Sequence, residues 1–234
     1  MSGSGLVNYT KLSPNRTSPR RHVIDTITIH CVVGQWTAKQ GCDYFAKSEV
    51  KAAPNYFVGK DGSIGQCVDE GDRSWCSSND GNDHRAITIE TASDTTHPYA
   101  VTDAAYAALL DLVTDICRRN GKNRLLWFGD KEKSLAYTPK EGEMIMTVHR
   151  WFANKACPGD YLYERHGAIA EEVNRRMGAA AESTASESGK PAASAWARDA
   201  WAKAVEKKIF DGSEPQGNLT REQAAVVLDR LGLL

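Results

Sequence analysis

Asp25-Thr26-Ile27-Thr28-Ile29-His30 alternates apolar and polar side chains inside Val23 to Val33, a stretch rich in β-branched residues. That pattern predicts a strand ending on an imidazole. Arg85 to Thr91 repeats it, with Ile87 and Ile89 on one face and Thr88 and Glu90 on the other. Asn55 to Gly59 and Ser63 to Val68 flank Lys60-Asp61-Gly62, an Asp-Gly hairpin signal. Helices are expected over Thr37 to Ser48, Thr102 to Asn120 and Asp160 to Met177. In the second, Tyr106, Leu109, Leu110, Val113 and Cys117 recur every three or four residues, and Gly121 and Gly178 stop the last two. Leu125 to Phe128 and Met144 to Val148 read as further strands, and Glu70 to Asp83 and Lys131 to Glu143 as polar loops. Alternating strands and helices predict a layered α/β domain over residues 23–178, preceded by a polar leader at 1–22.

A second stretch carries the chemistry: His149-Arg-Trp-Phe-Ala-Asn-Lys155-Ala-Cys157-Pro158-Gly159-Asp160. His149 and Cys157 are strong ligands for a borderline-soft metal, and His30 is the third candidate. Two imidazoles and one thiolate with an open position make a catalytic rather than a structural zinc set. The expectation is one Zn2+ held by His30, His149 and Cys157, with hydrolysis of an amide as the reaction. The competing interpretation is a buried histidine pair and an inert cysteine. Lys155 places a cation two residues before Cys157, and Asp160 reads as a helix N-cap.

Size and charge exclude several classes. The 234 residues, 25% charged and 41% hydrophobic, suit a soluble globular protein with one substantial domain and a small appendage. A net charge of −1 argues against nucleic acid as partner, because phosphate binding needs clustered positive charge. No apolar run approaches the ~20 residues of a membrane span. The first thirty residues lack a secretory core, so the expected place of synthesis is the cytoplasm. The six cysteines include no Cys-x-x-Cys pair and are expected as free, mostly buried thiols.

After residue 178 the composition shifts. Residues 179–193 are Ala, Ser and Glu with one Gly and one Pro, a linker. Residues 194–234 predict a small module: a helix from Ala195 to Lys208, a turn at Phe210-Asp211-Gly212, and a last helix opened by the capping box Thr220-Arg221-Glu222-Gln223.

The strand ending in His30, the Ile-Glu strand at Glu90 and the segment His149…Lys155-x-Cys157-Pro158-Gly159 resemble the zinc-dependent N-acetylmuramoyl-L-alanine amidases. These are phage endolysins, autolysins and the related peptidoglycan recognition proteins. The resemblance covers residues 23–178 and implies a mixed central sheet flanked by helices with a zinc cleft. It implies cleavage of the bond between the muramic lactyl group and L-alanine of peptidoglycan. It also implies Glu90 as a base passing a proton to the leaving amine, against the plain alternative of an exposed acid on a half-buried strand. Lys155 is implied as the oxyanion partner, and Arg73 and Trp75 as substrate-binding, against a surface arginine and a structural tryptophan. Two departures stand out. Pro54 falls where some relatives carry a catalytic tyrosine, with Tyr56 two residues on, and Trp75-Cys76 replaces Trp-His. The tail resembles a single S-layer homology motif, which implies a secondary wall polymer or self-association through residues 194–234. A phage or prophage endolysin released at lysis is the expected setting. A non-catalytic recognition module and a muropeptide-recycling amidase are the alternatives.

Overall fold

In a computed structural model, residues 3–178, 198–207, 209 and 221–231 are described. The chain divides into two units, Met1–Ala181 and Glu182–Leu234.

The first unit is built on the predicted strand, β3 (Thr26–Cys31), which is buried throughout. Its parallel neighbours are β7 (Ala86–Thr91) and β9 (Glu143–Thr147). Outward on one side lie β4 (Tyr56–Val58), β5 (Ile64–Gln66) and β1 (Tyr9–Thr10), and on the other β8 (Arg124–Leu126). Within this sheet only the β4–β5 pair is antiparallel, joined through Gly62 at φ +80, a value that a residue without a Cβ adopts freely. The sheet is therefore mixed, as expected, with seven strands ordered β1-β5-β4-β7-β3-β9-β8.

Alternation sends the two sides of these strands into different layers. Ile27, Ile29, Ile87 and Ile89 pack with Leu109, Leu112, Ile116, Leu162, Ile169 and Val173 from α3 (Asp103–Arg119) and α5 (Gly159–Met177). The opposite face carries Phe57, covered by Cys42 and Phe45 of α1 (Ala38–Phe45), and the polar row that includes His30 and Glu90. Thr37 and Gln40 form a reciprocal capping box at the start of α1, which satisfies donors the first turn leaves unpaired. Thr102 caps α3 by accepting from the Ala105 amide alone, and Gly178 closes α5 at φ +74.

The described part of the polar leader, residues 3–22, is joined to the domain: β1 pairs with β5, β2 (Arg16–Thr17) pairs with β6 (Arg73–Ser74), and the Ser4 amide donates to the Tyr56 hydroxyl at 2.9 Å. Three expectations are corrected. The segment Glu70 to Asp83 is not a loop throughout, because it holds β6 and the start of α2 (Asp80–Arg85), capped by Asn79. Lys131 to Glu143 holds α4 (Lys131–Ala136), capped by Asp130, and ends in a buried Glu143 that opens β9. Asp160 is not the N-cap of α5; Pro158 is.

In the second unit α6 (Arg198–Glu206) and α7 (Arg221–Arg230) form where helices were expected. The linker 179–193, the turn at Phe210 to Gly212 and the Thr220 cap lie outside the described residues. No helix among the described residues is long and apolar enough to cross a membrane.

Candidate metal centre

Three elements meet at the C-terminal end of the central parallel strands. His30 sits near the end of β3 and is fully buried. His149 opens a one-turn 3-10 helix directly after β9. Cys157 precedes α5, and the intervening loop folds back on itself: the Arg150 amide donates to the Cys157 carbonyl at 3.1 Å, and the Ala153 amide to the His149 carbonyl at 3.2 Å. The result places Cys157 Sγ 3.3 Å from His30 Nδ1 and the two imidazole rings 5.1 Å apart. Donor atoms of His30, His149 and Cys157 all lie within 4.8 Å of one another.

The surroundings favour uncharged rings. Burial holds the His30 imidazolium far below the usual range, with His149 adding to the effect. Burial and then the Lys155 charge hold His149 down. Burial pushes the Cys157 thiol up, so its thiolate needs a cation beside it. Two neutral imidazoles and one thiol that ionises only against a cation form a donor set that fits a divalent metal of zinc type.

A network not visible in the sequence positions these ligands. Ser77 Oγ lies 3.4 Å from His30 Nε2, and Ser78 Oγ 3.0 Å from His149 Nε2. Asp83 accepts from the amides of Cys76 and Ser77 at 3.0–3.2 Å. The buried amide of Asn82 donates to Ser77 Oγ and to Thr28 Oγ1, both at 3.0 Å, and accepts from Thr147 Oγ1 at 2.9 Å. Thr28 and Thr147 each lie two residues before a histidine of the set, so one side chain ties both strands to the loop over the rings. The only hint in the sequence was Asn79, three residues before Asn82, a helix-cap spacing hidden in turn-like composition.

Glu90 stands directly opposite His30 in the β3–β7 register. It is half-buried, not an exposed acid, and its Oε2 is buried without a hydrogen-bond partner. Burial, reinforced by Cys31, raises its carboxyl well above the usual carboxylate range. Cys76 Sγ lies 3.9 Å from its Oε1. Lys155 is exposed on the loop before Cys157.

The remaining candidates lie differently. Arg73 is buried, ion-paired with Asp80 and donating to Thr17 Oγ1 at 2.8 Å, so its guanidinium holds β6 to β2 and α2. Trp75 is half-buried, with Nε1 donating to the same Thr17 hydroxyl at 2.9 Å. Tyr56 is turned to the other face of the sheet, where its hydroxyl donates to Glu70 Oε1 at 2.6 Å. Glu70 also takes both terminal nitrogens of Arg119 at 2.7 and 2.9 Å, and Phe57 is the residue beside Glu90 on β4. His166 is a core residue under Trp127, and all six cysteines are free.

A family profile described as N-acetylmuramoyl-L-alanine amidase matches residues 19–160, more than half of the chain. Among solved structures, PlyL is similar at a TM-score of 0.52 and 17% identity, over 70% of this chain and 95% of that one. A mutant endolysin from Bacillus subtilis matches at 0.50 and 16%, over 71% and 99%. An AmpD derivative matches at 0.50 and 17%, over 73% and 99%. No curated protein sequence matches. At these identities the structures speak for a shared fold.

Proposed function

The chain belongs to the N-acetylmuramoyl-L-alanine amidase family, and from that premise we propose that it is a zinc-dependent lytic enzyme of the endolysin type, acting on intact peptidoglycan. The observation that carries the proposal is the convergence of His30, His149 and Cys157 from three distant parts of the chain, with Glu90 in register beside them.

His30, His149 and Cys157 would hold the metal. When bound, zinc supplies Lewis acidity for the scissile carbonyl and the attacking water. Glu90 then accepts the water's proton and returns it to the leaving nitrogen of L-alanine. A carboxyl lifted by burial is suited to that exchange near neutral pH, and a base of this kind contributes about 10²–10⁴-fold. Lys155, exposed on the loop before Cys157, balances the negative charge that develops on the carbonyl oxygen. Ser77 and Ser78 keep the two rings oriented by their far nitrogens. Trp75 remains the candidate for packing on the substrate. Arg73, committed to Asp80 and Thr17, fits holding that loop in place better than reaching a stem-peptide carboxylate.

The lytic setting rests on the second unit, with helices α6 and α7 among its described residues, which a hydrolase of soluble muropeptides has no need of. This unit would associate with a secondary wall polymer or with a copy of itself, in the manner of an S-layer homology motif. A purely binding module is disfavoured because Cys157 and Glu90 are both present beside His30. In the proposed setting the enzyme reaches the wall from the cytoplasm at lysis.

Purified walls digested with and without a chelator test the reading. The expected result is turbidity loss that the chelator abolishes, with mass spectra showing a newly free L-alanine amino group. Cleavage of soluble anhydro-muropeptides with intact walls untouched would overturn the lytic setting in favour of recycling. Binding without cleavage would overturn the enzyme mechanism.

A further inference from the structure

Among the described residues a second donor group adjoins the first. Ligand atoms of His30, Cys76 and Glu90 also lie within 4.8 Å of one another. The group is built rather than incidental. Glu90 is fixed by its place in β7 opposite His30. The chain at Cys76 is fixed on both sides: Trp75 exchanges backbone hydrogen bonds with Ala53 at 3.0 and 3.1 Å, and Asp83 clamps the amides of Cys76 and Ser77. Cys76 Sγ faces Glu90 Oε1 at 3.9 Å, and the buried second oxygen of that carboxylate has no partner. His30 Nδ1 lies 3.3 Å from Cys157 Sγ, and its Nε2 lies 3.4 Å from the hydroxyl of Ser77, the residue after Cys76.

We propose that Cys76 and Glu90, with His30 as the shared member, form a second seat for a thiophilic divalent cation next to the His149–Cys157 seat. A thiolate, an imidazole and a carboxylate suit Zn2+ or Cd2+ and discriminate against Mg2+ and Ca2+, which prefer oxygen ligands. The second seat is the weaker one: a ring already ligated through one nitrogen serves a second cation only as a bridging imidazolate, giving up its other N–H proton to solvent, and an oxygen stands in place of a second imidazole. Its occupancy ties up the carboxylate of Glu90. Resting on the assignment of Glu90 as the base, excess zinc then slows turnover: the metal that activates the enzyme at one equivalent inhibits it at higher concentration.

The test is a Cd2+ titration of the full chain, read by thiolate-to-metal absorbance and by metal content after desalting, beside activity measured at increasing Zn2+. The wild type is expected to take up two equivalents, the second more weakly, and to lose activity as zinc rises beyond the first. Cys76→Ser is expected to lose the second equivalent and the inhibition while keeping the first; Cys76→Ala, with its thermal unfolding measured, guards against a folding artefact. Cys157→Ser should lose the tighter equivalent and keep the one that depends on Cys76. A wild type that binds one equivalent, or a second equivalent that survives both Cys76 variants, overturns the second seat. Two equivalents that both survive Cys157→Ser would instead overturn the first seat. Loss of the second equivalent in Cys76→Ser with inhibition unchanged would overturn the link to Glu90.

Discussion

Truncating Asn82 to alanine removes three side-chain hydrogen bonds at once: to Ser77, Thr28 and Thr147, at 3.0, 3.0 and 2.9 Å. Thr28 and Thr147 still bond each other at 2.8 Å, and Ser77 keeps its amide bonds to Asp83, so the loss is partly absorbed. Each neutral bond contributes about 0.5–1.5 kcal/mol net, and a buried group left unpaired costs somewhat more, so the variant should be less stable by about 2–4 kcal/mol. The more telling effect is on the metal. Ser77 loses the amide that aims its hydroxyl at His30, and removal of such an outer contact costs about 10–100-fold in metal affinity. Thr147→Val is the control. It breaks the Thr147 bonds to Asn82 and Thr28 and leaves the Asn82 links to Ser77 and Thr28 in place, so it should cost stability without that loss of affinity. Zinc competition against a chromophoric chelator, with urea unfolding of the same samples, separates the two. Equal zinc affinity in Asn82→Ala and wild type, or equal losses in both variants, would refute the positioning role.

Glu90→Gln should retain one tight zinc and lose about 10²–10⁴-fold in kcat, measured by release of free L-alanine amino groups; near-normal turnover removes Glu90 as the base. Burial lowers the His166 pKa from 6.5 to about 4. A depressed value means that the neutral ring contributes stability above pH 6.5, and that the contribution, about 3 kcal/mol, is lost as pH falls from 6.5 through 4. His166→Phe should flatten that part of the stability–pH curve, and an unchanged slope would sink the assignment. Gly41→Ala would drive a methyl into the Phe57 ring under α1 and should cost about 1–3 kcal/mol in urea unfolding. Deleting residues 179–234 should leave amidase turnover on muropeptides intact while reducing wall pelleting or oligomer size; no change in either removes the proposed role of the second unit.

What could be read in advance was whatever repeats. The alternation through Ile27, Ile29, Ile87 and Ile89, and the period through Leu109, Val113 and Cys117, record one-sided burial that the folded layers reproduce. The helices α2 and α4 are six residues each, too short to complete two turns, and their composition of Asp, Asn, Gly and Lys resembles turns. Two-residue strands such as β1, β2 and β6 have no period to detect. His30, His149 and Cys157 stood out because their chemistry is scarce and their order along the chain informative. Ser77, Ser78 and Asn82 did not, since common hydroxyls and amides gain meaning only from what they touch. Tyr56 shows the same limit: two residues of strand separation from Pro54 said nothing of the Glu70–Arg119 pair that claims its hydroxyl.

The pairing of β1 with β5 bears on synthesis as well as on architecture. Tyr9 and Thr10 leave the ribosome before Gly65 and Gln66, the residues they align with, and the amide of Ser4 waits as long for the hydroxyl of Tyr56. Until the hairpin is translated, this part of the nascent chain has nothing to lie against. Once it docks, the outer strand of the hairpin no longer presents a bare row of amides and carbonyls to other molecules. A fusion partner that held residues 3–12 away from the sheet would be expected to promote aggregation while leaving His30, His149 and Cys157 themselves untouched.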